Sequence, residues 1–133
     1  RLSMMAGSPN LMKTTVGVTV GDFRRLALSF NQALEAEHMG HPDFRVHERV
    51  FATLGYPGDG WGMVKVPPAE QAELVRSDPK TYQPCSGAWG RAGCTCVRLS
   101  SARAQTLRAA LKSAWQFALE AKPARKRRLA TRH

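Results

Sequence analysis

Apolar positions along the chain follow two different periods. Phe23, Leu26, Ala27, Phe30 and Leu34 recur at three- and four-residue spacing, which predicts a helix from about Asp22 to Ala36 with one buried stripe. Thr19-Val20-Gly21-Asp22 in front of it has the form of a capping box with Thr19 as N-cap. Farther along the period changes to two. Phe44-Arg45-Val46-His47 alternates as a half-buried strand does, and Val50–Leu54 and Trp61–Val66 read as two more strands. Between these last two, Gly55-Tyr56-Pro57-Gly58-Asp59-Gly60 is dense in turn residues, so 50–66 is expected to be a hairpin.

The helical period returns after Pro67-Pro68-Ala69-Glu70, where proline is tolerated in the first turn and Glu70 suits the positive end of the helix dipole. Ala69, Ala72, Leu74 and Val75 form its short apolar face, and Asp78-Pro79 stops it. Lys80 to Ala88 reads mostly as loop and Thr95–Leu99 as a strand, whose start could lie as early as Trp89 before the breaks at Gly90 and Gly93. A last helix, capped by Ser100 or Ser101 and running to about Ala121, buries Leu107, Leu111, Ala114, Trp115 and Ala118. The order is α-β(3)-α-β(1–2)-α. It predicts an α+β domain, a two-layer sandwich of an antiparallel sheet with helices packed on one face.

A length of 133 residues fits one domain, and the 43% hydrophobic and 23% charged content is that of a globular chain. No apolar run is long enough to span a bilayer, and residues 1–9 lack the apolar stretch of a secretory leader, so a cytoplasmic location without membrane contact is expected. Three cysteines, Cys85, Cys94 and Cys96, cannot all pair within one chain and are expected as free thiols.

Net charge becomes informative once it is located. Of the formal +10, residues 19–100 contribute nothing, with nine Lys/Arg against nine Asp/Glu. Residues 1–18 contribute +2 and residues 101–133 contribute +8. The chain therefore divides into an arm over 1–18, a folded domain over 19–121 and a basic tail over 122–133.

Several blocks resemble one family. They are Met39-Gly40-His41-Pro42-Asp43-Phe44-Arg45-Val46, Phe51-Ala52-Thr53-Leu54-Gly55-Tyr56-Pro57 and Asp59-Gly60-Trp61-Gly62-Met63-Val64-Lys65-Val66. Trp89-Gly90-Arg91-Ala92-Gly93, Val97-Arg98-Leu99 and Ala114-Trp115 follow in order. Together they are similar to the MmcQ/YjbR family over roughly residues 22–117. The resemblance implies a two-layer α/β fold with an antiparallel sheet, and its members are commonly labelled DNA-binding. It carries over no set of catalytic residues. The chain departs from the family pattern at Ser29-Phe30-Asn31-Gln32, at Cys94 and Cys96, and in the basicity of its ending.

Two groups of residues are candidates for binding. Lys122, Arg125, Lys126, Arg127, Arg128 and Arg132 form a run of cations that would release counterions from a phosphate backbone. Arg91 and Arg98 could add contacts. The same run also suits an anionic surface, a nuclear address or a solvated terminus.

The second group lies on the sheet face away from the helices. If Phe44, Val46, Val64, Val66, Thr95, Val97 and Leu99 face the core, then Arg45, His47, Trp61, Met63, Lys65, Cys94, Cys96 and Arg98 face outward. Aromatic and cationic groups on an open sheet can stack bases or hold a small anionic ligand, unless an arm or a second subunit covers them.

Catalysis and cofactors find less support. His38, His41 and His47 near Glu37, Asp43 and Glu48 lack the spacing of a metal site and read as a polar turn. Cys94-x-Cys96 with Cys85 does not match a zinc pattern, although Arg91 and Arg98 could make a thiol reactive. Gly87–Gly93 lacks the Lys-Ser/Thr ending of a phosphate loop, Trp89 and Trp115 read as packing residues, and no hydrolytic triad stands out. The expectation is a non-enzymatic protein without a cofactor, a weak, non-specific DNA binder or else a small-ligand or protein binding module using the open sheet face.

Overall fold

The computed structural model describes residues 16–121. Helix α1 spans Val20–Leu28 and is followed by strands β1 (Leu34–His38), β2 (His41–Val46), β3 (Arg49–Leu54) and β4 (Trp61–Lys65). Helix α2 (Pro68–Ser77), strand β5 (Tyr82–Pro84), the short helix α3 (Gly87–Arg91), strand β6 (Cys94–Arg98) and helix α4 (Ala104–Glu120) complete it. The sheet is antiparallel throughout, in the order β1-β2-β3-β4-β6-β5. The chain is thus the expected α+β sandwich.

The Thr19 capping box forms as read: the Thr19 hydroxyl accepts from the Asp22 backbone, and the Asp22 carboxylate accepts from the Thr19 backbone. On the helix side, Phe23 and Ala27 of α1 meet Phe44, Val46, Phe51, Val64 and Val97 of the sheet, and Leu107, Ala110, Leu111 and Ala114 of α4. Leu107 and Leu111 are fully buried, each worth about 1.5–3 kcal/mol. Gly62 lets Phe23 lie close over β4, since a Cβ there would sit 2.8 Å from the Phe23 ring.

Several elements differ from their sequence reading. Helix α1 stops at Leu28, and Leu34, expected on its stripe, is 68% exposed on the edge strand β1. Four strands, not three, precede α2. The stretch read as loop over 80–88 holds β5 and the start of α3, and β6 begins only at Cys94. Ser100 and Ser101 do not cap α4; they lie in a 3-10 turn over Leu99–Ser101, and the helix starts after Arg103. Val16 to Val18, at the end of the segment read as an arm, run antiparallel to 99–103, with Val18 donating to the Leu99 carbonyl at 2.9 Å. No helix among the described residues is long and apolar enough to cross a membrane.

Candidate functional site

The register of β4 against β6 sets the open face. Trp61 lies opposite Arg98, Met63 opposite Cys96 and Lys65 opposite Cys94, so all six belong to the face away from α1 and α4. The Arg98 guanidinium sits over the Trp61 ring, 4.6 Å from its centroid, and its Nε donates to the Lys80 carbonyl at 3.1 Å. An exposed cation thus covers a half-buried indole, an attraction of about 0.5–1 kcal/mol at an exposed site.

Beside this pair the loop after β3 and the segment after β5 wall a groove of about 360 Å³, lined by Tyr56–Asp59, Trp61, Gln83–Ser86 and Cys96. That volume lies within the range of small-molecule sites. Met63, Cys85, Cys94 and Cys96 form a second buried cluster beneath it, with Tyr56 and Trp61 packed against them. Met63 is therefore buried, not the exposed contact expected of it, because Cys85, Tyr56 and Trp61 pack around it.

The segment after β5 has an identifiable support. Gln71 of α2 is buried and donates from its side-chain nitrogen to the carbonyls of Gly90 and Cys94, both at 2.9 Å. Gly90 passes so close to the Cys85 backbone that a Cβ would lie 1.8 Å from the Cys85 carbonyl oxygen. Only glycine permits this approach. Sequence reading placed alanines and leucine on the α2 face and gave Gln71 no role; a buried glutamine has no periodic signature.

The remaining candidates are dispersed. Arg45 is bound bidentately to buried Asp43, through Nε at 2.8 Å and Nη2 at 3.0 Å, which holds the guanidinium charged. His47 does not continue β2; it has a left-handed backbone (φ 52°) in the turn to β3, and its Nε2 is 2.9 Å from the Gln32 side-chain oxygen. Lys65 ends β4 and borders a separate hollow with Glu48, Arg49 and Phe117. Arg91 ends α3 while Arg98 ends β6, and the length of β6, about 13 Å by strand rise, lies between those ends. Lys122, Arg125, Lys126, Arg127, Arg128 and Arg132 fall outside the described residues.

Trp89, expected to pack, is 64% exposed, whereas Trp115 does pack, stacking on Phe30 at 5.6 Å and donating to the Asn31 carbonyl. No group of His, Cys, Asp and Glu among the described residues is arranged to hold a metal ion.

The thiols are the unusual chemistry of the site. Cys85 Sγ lies 2.9 Å from Cys96 Sγ. That contact and burial raise the Cys85 thiol well above its ordinary range, and the same contact lowers Cys96. Burial raises Cys94 as well, against the opposing charge of Lys65.

Comparison with known proteins accords with this architecture. A family model described as YjbR matches residues 28–117. The crystal structure of Deinococcus radiodurans protein DR2400, with a domain described as DUF419, superposes with a TM-score of 0.69 at 20% identity, covering 89% of this chain and 91% of that one. No curated protein matches.

Proposed function

The chain belongs to the YjbR family, and from that premise we propose that it is a weak, sequence-independent DNA-binding protein that acts by binding and not by catalysis. The observation that carries the reading is the Trp61–Arg98 pair on the open sheet face, a planar aromatic and cationic surface beside a groove. The guanidinium plane that Trp61 supports can stack an unpaired base while its N–H edge meets a phosphate, and base stacking on such a platform is worth about 1–3 kcal/mol.

Residues 16–121 hold twelve Lys/Arg and ten Asp/Glu, so the folded part supplies little long-range attraction. Residues 122–133 hold six Lys/Arg and no acid, and supply most of it.

The test is the affinity for a single-stranded oligonucleotide as a function of salt. Deleting residues 122–133 should make the slope of log K against log salt shallower by as much as about 4 units. Trp61→Ala should weaken binding about 5- to 150-fold, the equivalent of one lost stacking contact, without changing that slope. Retention of full affinity by Trp61→Ala would remove the open face from the reading.

A second reading is favoured by the groove of about 360 Å³ between Tyr56–Asp59 and Gln83–Ser86. There the ligand is a small planar anion held by Trp61 and Arg98. Trp61→Ala then abolishes binding and deletion of residues 122–133 leaves it intact. The ligand raises the melting temperature of the parent but not of the variant.

A further inference from the structure

We propose that Cys85 and Cys96 are a reversible dithiol–disulfide site that takes small-molecule disulfides from the groove beside Trp61. The two sulfur atoms meet at the β5–β6 edge of the sheet: Cys85 directly follows β5, its backbone N–H donating to the Cys94 carbonyl, and Cys96 lies in the middle of β6. Their separation of 2.9 Å needs only about 0.9 Å of further approach to reach a covalent disulfide. Their setting also favours the reaction. Both residues line the groove, which gives a small reagent a path to sulfur atoms whose residues are each only 5% exposed. Cys94 shares the cluster but does not line that groove, so the pairing is specific.

The two thiols have different roles. Cys96, fixed in the middle of β6 and lining the groove, is the attacking thiolate, and its contact with Cys85 lowers it. It displaces one thiolate from an external disulfide RSSR and forms a mixed disulfide. Cys85 then gives up its proton, attacks the Cys96 sulfur and expels the second thiolate. The protein loses two protons and two electrons, RSSR gains both, and two RSH leave. Closure would tie the segment after β5 to β6 across the groove floor.

The experiment equilibrates the full chain in buffers of increasing oxidised-to-reduced glutathione ratio, blocks remaining thiols by alkylation and measures intact mass and peptide linkage. The expected result is a fall from three free thiols to one, with a linked peptide joining Cys85 to Cys96, reversed by reductant. Cys85→Ser should instead accumulate glutathione on Cys96, and Cys94→Ser should oxidise as the parent does. Should either serine variant fail to fold, the linkage map of the parent alone decides. Three free thiols across the whole series, or a linkage through Cys94, would overturn the proposal.

Discussion

Gln71 donates two hydrogen bonds from a position almost without water contact, to the carbonyls of Gly90 and Cys94. Each is worth about 1 kcal/mol net, so Gln71→Leu should cost about 2 kcal/mol in urea unfolding, although it makes the residue more apolar. A neutral or stabilising effect would show that the clamp is not needed.

At the opposite end of the domain, hydrogen bonds from Thr19, chiefly its backbone N–H, hold the Asp22 carboxyl below its ordinary 3.8, with Arg25 adding to the effect. A depressed folded pKa contributes stability above the unfolded value, and that contribution disappears as pH falls through the folded one. The stability difference between the parent and Asp22→Asn should therefore be largest at neutral pH and shrink below pH 3.8, measured by denaturant unfolding across that range. A difference that stays constant with pH would contradict the capping role. The Thr19–Asp22 box was legible in the sequence because it is local; the Gln71 clamp was not, because its partners lie 19 and 23 residues away.

Among the elements, two tight hairpin turns dominate the β1–β3 meander. Met39-Gly40 and His47-Glu48 each place both central residues at positive φ, the handedness that matches strand twist. In the second turn neither residue is glycine. A left-handed L-residue costs about 1–2 kcal/mol, so Glu48→Gly (φ 66°) should stabilise the domain by about 1 kcal/mol in thermal or urea unfolding. Destabilisation would mean that the Glu48 side chain contributes more than its backbone strain costs.

Strand β1, Leu-Glu-Ala-Glu-His, is an exposed edge strand with only Ala36 partly buried, so its sequence carries no alternating signal that separates it from the helix before it. Gly40 after Met39 was the available hint. The strands β2 to β4 and β6 are legible from the alternation of their core-facing residues, and so is the outward-pointing set of Trp61, Met63, Cys96 and Arg98. What alternation could not reveal was the packing of Cys85 against Met63 and the other cysteines, because that depends on the Gly90 approach. A serine before α4 was also misleading: the 3-10 turn delays the helix to Ala104.

At the scale of the whole molecule, the DNA-binding function proposed above divides recognition and attraction between two parts. The sheet supplies one aromatic–cation surface and a groove, while the charge of residues 16–121 is nearly balanced, so in that proposal the long-range pull on phosphates falls to the chain beyond Ala121. The three tryptophans, Trp61, Trp89 and Trp115, allow this to be tested in a single spectrum, since each indole N–H gives its own resonance. The most direct measurement is to titrate the ¹⁵N-labelled chain with a single-stranded oligonucleotide at low salt and follow those three signals. The Trp61 indole should shift progressively, and Trp115, stacked on Phe30 and bonded to Asn31, should stay in place. A Trp61 signal that does not move while the oligonucleotide binds elsewhere would contradict the assignment of the open face.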